Sequence, residues 1–324
     1  MLDRIKATGY LTNISLDKNC RIKKVVKTER WTLEKRVPII ISNSSTNEDL
    51  ILWDFKGSKK YSLVGNLRKW LFGEKSAVRD LNNGDYVYCM YKIAKHIGTD
   101  FDELMNFEIN YLELGGNLKM SSKYSAIIPS LIDYPQLKRD RYNDNTVYFK
   151  GSKYIHIYYS KLDEMYEKNK IKKTVYDNLS KHVFVLRYEK KIRSKSGVSI
   201  GDKIKTFKSI QENWNFLVND WFTSLVKANS VDLFSGTRDI DLKSLTPKEL
   251  IDYFAFQTIK KIEVESALTI SKKLVGNRRY KANKSIIAIH DRFSSSKKRH
   301  YFEDIAFIAK KKADKMKIRT SSFL

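Results

Sequence analysis

The sequence predicts an α+β protein, with an antiparallel-sheet domain over residues 1–200 followed by a smaller helical domain over residues 201–324. Three observations lead there. Up to about residue 200, segments rich in Tyr, Val and Ile alternate apolar and polar residues with the period of a strand. After that point the apolar residues recur with the period of a helix. The chain has 324 residues, 42% of them hydrophobic and 12% aromatic, with only four prolines, which is enough for more than one core.

The elements follow in order. Strands are predicted at Val37–Ser42 (VPIIIS), Tyr86–Ile93 (YVYCMYKI), Phe107–Leu114 (FEINYLEL), Thr146–Phe149 (TVYF), Tyr154–Tyr159 (YIHIYY) and His182–Ile192. Helices are predicted among them near Gly65–Phe72 and Leu162–Leu179. Beyond residue 200, Ser209–Ala228 places Trp214, Leu217, Trp221, Phe222 and Leu225 on one stripe. Thr246-Pro247-Lys248-Glu249 is a helix start: a capping Thr, Pro at the first helical position, and a Glu that closes a capping box. Ile262–Leu274, Asn283–Phe293 and Phe302–Met316 complete the helical part.

Charge narrows the function. Lys plus Arg number 62 against 37 Asp plus Glu, a formal charge of +25. Such an excess repels itself in a compact state and fits a polyanionic partner. No run reaches the ~18 apolar residues of a spanning helix, and MLDRIKATGYL has no apolar signal core, so a membrane partner is not expected and an intracellular location is. Cys20 and Cys89 form neither a disulfide framework nor a metal-ligand spacing. From Ser271 to Leu324 there are 16 basic and 4 acidic residues, so this stretch alone carries +12 (16 − 4). Its clusters nominate Arg278, Arg279, Lys281, Lys297, Lys298 and Arg299 as phosphate contacts. Tyr280, Phe293 and Tyr301 lie among those charges as candidates to stack on bases.

Chemistry concentrates in YIHIYYSKLDE, Tyr154–Glu164. Strand alternation puts Tyr154, His156 and Tyr158 on one face and Ile155, Ile157 and Tyr159 on the other. A tyrosine phenolate can attack a phosphodiester and conserve its energy as a phosphotyrosine. A cation must then polarise the phosphate, held by oxygen ligands if it is Mg²⁺ or Mn²⁺. Lys161 and Glu164 follow Tyr159 closely. Glu113 interrupts the apolar run of INYLELGG, and Arg187 and Glu189 share a strand face in FVLRYEKKI. A carboxylate on a central strand is costly unless paired or ligating. Each of these also has a plain reading: a common strand tyrosine, an exposed glutamate, a structural Arg187–Glu189 pair.

The order GNLRKWLFGEK, YLELGGN, NTVYFKGSKYIHIYYSKLDE, LRYEKKI resembles the replication initiators of filamentous phages, the gene II protein family, and related phage and plasmid rolling-circle initiators of the replication-initiation-factor type. The resemblance spans roughly Tyr61 to Ile192. It implies a Rep-type nicking domain. The tyrosine-x-lysine-x-x-glutamate element falls on Tyr159, Lys161 and Glu164, with Tyr158 as the alternative register. The carboxylate strand falls on Glu113, and the L-R-x-E strand on Arg187 and Glu189. Tyr111 stands where the family usually has arginine, and the paired histidines of better-known nickases are absent. The resemblance implies a metal-dependent tyrosine transesterase in a bacterial host's cytoplasm. It would nick one strand at a replication origin, stay on the 5′ phosphate and rejoin the ends. Mg²⁺ or Mn²⁺ would be held among Glu113, Glu189, Glu164 and His156, with Lys161 and Arg187 steadying phosphate charge. The expected partners are origin DNA, single-stranded at the nick, and host helicase and polymerase. A non-catalytic nucleic-acid-binding protein and a metal nuclease with no covalent intermediate remain the alternatives.

Overall fold

The structure, a computed structural model, describes residues 1–22, 36–77, 79–143, 145–193, 202–230, 240–275, 279–294 and 301–318. Its strands are β1 (Leu2–Tyr10), β2 (Cys20–Ile22), β3 (Arg36–Asn43), β4 (Glu48–Phe55), β5 (Lys60–Asn66), β6 (Glu108–Ser121), β7 (Leu131–Asp133), β8 (Lys138–Asn143), β9 (Thr146–Lys150), β10 (Tyr154–Ser160), β11 (Val183–Arg193) and β12 (Asn229–Ser230). Ten of them form one sheet in the order β2-β3-β4-β5-β1-β6-β11-β10-β9-β8, and each neighbouring pair is antiparallel.

The helices are α1 (Leu67–Phe72), α2 (Asn83–Ile97), α3 (Phe101–Met105), α4 (Ile127–Ser130), α5 (Lys161–Glu167), α6 (Lys173–His182), α7 (Phe207–Glu212), α8 (Trp214–Leu225), α9 (Pro247–Ile262), α10 (Val264–Val275), α11 (Arg279–Phe293) and α12 (Tyr301–Met316). The main core joins the apolar face of the sheet (Ile5, Leu63, Leu112, Leu114, Tyr188) to Trp70, Met90, Ile93, Trp214, Trp221 and Ile305 of the helices. No described helix is long and apolar enough to cross a membrane.

Three expectations are corrected. YVYCMYKI is not a strand but the middle of α2. Its buried residues, Tyr86, Cys89, Met90, Ile93, Ala94 and Ile97, recur at helical spacing, and an Asn82–Asp85 capping box and a left-handed Gly98 mark its ends. Leu162–Leu179 and Ser209–Ala228 each break into two helices, α5–α6 and α7–α8. The division at residue 200 does not match the division of the cores. Ile204, Phe207, Trp214, Leu217, Trp221, Ile305 and Ala309 belong to the core under the sheet. Among the described residues, α9–α11 share a separate core, built on Ile259, Val264, Ala267 and Leu268 with Ile132.

Candidate active site

β1, β6 and β11 run side by side through the middle of the sheet, and their registers decide what meets on the face opposite the core. Arg187 stands opposite Asn117 and Tyr159, Glu189 opposite Gly115 and Ile157, and Lys191 opposite Glu113 and Ile155. Period-two alternation therefore collects Glu113, Asn117, Arg187, Glu189, Lys191 and Tyr159 on one side. β1 adds Asp3 through a bulge. It takes three steps from Leu2 to Ile5 while β6 takes two, from Leu114 to Leu112. The extra residue lets Leu2 and Ile5 both stay in the core while Asp3 and Arg4 both line the cleft on the other side.

The centre is a charge cluster. Carboxylate oxygens of Asp3, Glu113 and Glu189 lie within 4.8 Å of one another, all buried. Arg187, 1% exposed, threads among them. Its Nε donates to Glu189 Oε1 at 2.8 Å, its Nη1 to Asn117 Oδ1 at 2.9 Å, and its Nη2 to Asp3 Oδ2. Arg68, from α1, pairs with Asp3 Oδ1 at 2.7 Å. Tyr111 Oη donates to Glu113 Oε2 at 2.8 Å, and Lys191 Nζ lies 3.5 Å from Glu113 and 3.6 Å from Glu189.

The Gly-Gly of the β6 strand serves both faces. A Cβ on Gly115 would sit 2.4 Å from Asp3 Oδ2 and 2.5 Å from Arg187 Nη2. The missing side chain is the gap through which the guanidinium reaches Asp3. On the core side, a Cβ on Gly116 would lie 2.6 Å from Trp221 Cζ2.

Tyr159 enters this cluster directly. Its Oη donates to Glu189 Oε1 at 2.8 Å, the same oxygen that Arg187 holds. Burial and the Glu189 and Glu164 carboxylates raise the phenol's pKa well above its ordinary value, against Arg187, so it is protonated at rest. Burial also pushes Glu189 up, but Arg187 and Lys191 outweigh it and hold that carboxyl down at about 2. Glu113 goes the other way: burial, then Glu189 and Asp3, raise it, because no guanidinium sits on it.

Around the centre is a cleft of about 780 Å³ whose lining includes Asp3, Glu113, Tyr159, Lys161, Arg187 and Glu189. At its rim Ser160 caps α5, and Lys161 Nζ lies 5.9 Å from the Tyr159 ring centroid and 2.5 Å from Glu164 Oε2. Burial lowers the Lys161 ammonium, against the pull of Glu164. No protein-family model matches this chain, and neither does any curated protein or solved structure.

Sequence-nominated residues fall into distinct groups. Tyr159, Arg187, Glu113 and Glu189 are brought together. Lys161 and Glu164 line the same cleft as an ion pair, with Lys168 also on Glu164, so Glu164 stands outside the carboxylate triad. Tyr158 and His156 lie on the opposite face, in the core. Tyr158 is fully buried and donates to the Leu225 carbonyl at 2.7 Å. His156 stacks on Tyr134 at 4.3 Å and is hydrogen-bonded to Tyr188 Oη at 2.7 Å. The alternation of β10 puts Tyr158 and His156 on the core face, away from the Asp3–Glu113–Glu189 triad. Lys281 is exposed on α11, and Arg279 belongs to the same helix. Arg278, Lys297, Lys298 and Arg299 lie outside the described residues. Phe293 is no stacking platform, because it is 3% exposed and packs on Phe256 and Tyr253. Asp3, Arg68 and Asn117 were missed. Asp3 reaches the site only through a bulge that no period reveals, although an acid, Asp3, near the head of a strand-like LDRIKATGY was a signal available in the sequence.

Proposed function

We propose that this chain is a DNA nicking and joining enzyme of the rolling-circle initiator type, with Tyr159 as nucleophile. The observation that carries the reading is the hydrogen bond from the Tyr159 phenol to Glu189, inside a cleft whose floor is the Asp3–Glu113–Glu189 triad with Arg187.

The residues fit a divalent cation. The donor set is oxygen only, as Mg²⁺ and Mn²⁺ prefer. The upward push on Glu113 from its two neighbouring carboxylates is the repulsion that a cation relieves. Asp3, Glu113 and Glu189 would hold it, and when bound it would polarise the scissile phosphate and lower the phenol's pKa.

The chain's own groups do the rest. Tyr159 Oη forms a bond to phosphorus as its proton passes to solvent in the cleft, with Glu189 as the hydrogen-bond acceptor that orients the hydroxyl. The bond from phosphorus to the 3′ oxygen breaks, and that oxygen leaves as a hydroxyl after taking a proton from solvent. The 5′ phosphate stays on the tyrosine, and attack by a 3′ hydroxyl reverses the step and reseals the strand. Lys161 supplies positive charge where negative charge grows on the phosphate, and Arg187, its guanidinium held by Glu189, Asn117 and Asp3, fixes the carboxylates from below. Bacterial cytoplasm as the site of action, a replication origin as the target and host helicase and polymerase as partners belong to this reading through the family resemblance.

The test is nicking of a supercoiled plasmid that carries this gene and its flanking DNA, with Mg²⁺ or Mn²⁺. Tyr159→Phe should abolish nicking, Tyr158→Phe should keep it, and Glu113→Gln should lower it by at least 100-fold on the scale typical of catalytic electrostatics. Nicking retained by Tyr159→Phe would replace the transesterase with hydrolysis at the same carboxylates.

A further inference from the structure

A second cleft, of about 890 Å³, lies on the same sheet face toward the β3–β4 edge. Val64 lines both clefts, so the two adjoin at β5. Its charged lining residues are Lys6, Arg36, Lys60 and Arg193, four cations with no carboxylate beside them, and none of the four has a carboxylate partner among the described residues. The floor is aromatic. Trp53 and Phe55 lie two apart on β4, so both rings project to this face, and both are half-buried rather than sealed in the core. The Arg36 guanidinium lies 4.5 Å over the Phe55 ring, a flat cationic pair.

We infer that this cleft is the track that holds a single-stranded nucleic acid on its way to Tyr159, with Trp53 and the Arg36–Phe55 pair as base-stacking platforms and Lys6, Lys60 and Arg193 on phosphates. The inference rests on the nicking reading for its direction, but the cleft's chemistry stands apart from it. Unpaired cations beside flat rings suit a polyanion whose bases are free to stack, which a duplex does not offer. The reach is also suitable. From β4 to β10 is five strand spacings, roughly 24 Å at ~4.8 Å each. That spans about seven nucleotides at the ~3.4 Å stacking rise, and fewer if the strand is stretched.

The experiment is fluorescence anisotropy with labelled oligothymidylates of about 4 to 16 nucleotides and a duplex control. The proteins are the full chain, Trp53→Ala, and the double variant Arg36→Glu, Lys60→Glu, each checked for an unchanged urea midpoint. Trp53→Ala should weaken binding of the long oligomers by about 5- to 150-fold, the range for losing one stacked base. The double charge variant should do so too, and should reduce the salt slope by about 1 to 2 units. Duplex binding should change by less than about twofold. If Trp53→Ala proves unstable, the double variant, which alters two cleft-lining surface cations, carries the test alone. Affinities unchanged in both variants overturn the track. The same proteins, given Mn²⁺ and the supercoiled plasmid that carries this gene and its flanking DNA, are stopped with detergent and read for protein–DNA adducts. Adducts with unchanged affinities sink the track and leave the nicking reading. Weakened binding with no adduct in any protein keeps the track and sinks the nicking reading.

Discussion

The gap at Gly115 allows a sharp test of how the site is held together. In Gly115→Ala the new Cβ would lie 2.4 Å from Asp3 Oδ2 and 2.5 Å from Arg187 Nη2. Ordinary carbon contacts begin near ~3.4 Å, so the guanidinium and the Asp3 carboxylate must each retreat by about 1 Å. If the core only strains to allow this, the cost is that of overpacking, ~1–3 kcal/mol. If the Arg187–Asp3 contact breaks, a buried charge is left uncompensated, and the cost rises toward ~3–5 kcal/mol. The loss should therefore fall between about 1 and 5 kcal/mol by urea unfolding. The cause is isolated by a double-mutant cycle with Arg187→Lys. Lysine has no Nη2 to collide with the new methyl, so the alanine should cost at least ~1 kcal/mol less in that background. Gly116→Ala is the control. The nearest atoms to its new Cβ all belong to Trp221, so it should show no coupling to Arg187. Additive losses from Gly115→Ala and Arg187→Lys would refute the reasoning.

Other outcomes follow from the same geometry. Tyr159→Phe should cost no more than ~1.5 kcal/mol of stability, since Glu189 keeps its bond to Arg187, whereas Tyr158→Phe, which orphans the buried Leu225 carbonyl, should cost ~1–3 kcal/mol; urea midpoints that reverse this order would contradict the face assignment. His156 is held neutral, with burial and then Lys190 and Lys227 lowering it to about 3, so the unfolded chain takes up a proton below pH ~6.5 and the folded chain does not. Its contribution is complete above that pH and declines as pH falls toward 3, by ~1.4 kcal/mol per pH unit, and His156→Gln should remove this slope between pH ~6 and ~5. Mn²⁺ at about 100 times its dissociation constant should stabilise the protein by ~2.7 kcal/mol, and Glu113→Gln should lose most of that gain in a thermal melt.

The sequence showed much of the site because period-two alternation is a strong local signal where one face is buried. In β11 it put Arg187 and Glu189 on one side, and in β10 it separated Tyr159 from Tyr158. The choice between the two tyrosines could not be made locally, since which face of β10 is buried depends on α8 supplying the Leu225 carbonyl from far along the chain. Asp3 was hidden for a related reason. β1 is a central strand, yet LDRIKATGY is not among the predicted strands, because Arg4 and Lys6 break its apolar pattern where one of its faces lines open clefts. YVYCMYKI misled because β-branched and aromatic residues dominate it. Spacing over the longer window from Tyr86 to Ile97, and the Asn82 and Gly98 caps, carried the helix signal instead. The Trp214–Leu225 stripe was correctly read as apolar, but a stripe does not say what it covers, and here it covers the sheet.

The most direct measurement is to map the covalent adduct. The protein is incubated with its own replicon or with single-stranded oligonucleotides and Mn²⁺, quenched in detergent, digested, and sequenced by mass spectrometry. The account predicts a nucleotide 5′-phosphate linked to Tyr159, absent in Tyr159→Phe. An adduct on another residue, or cut DNA free of protein, would contradict it.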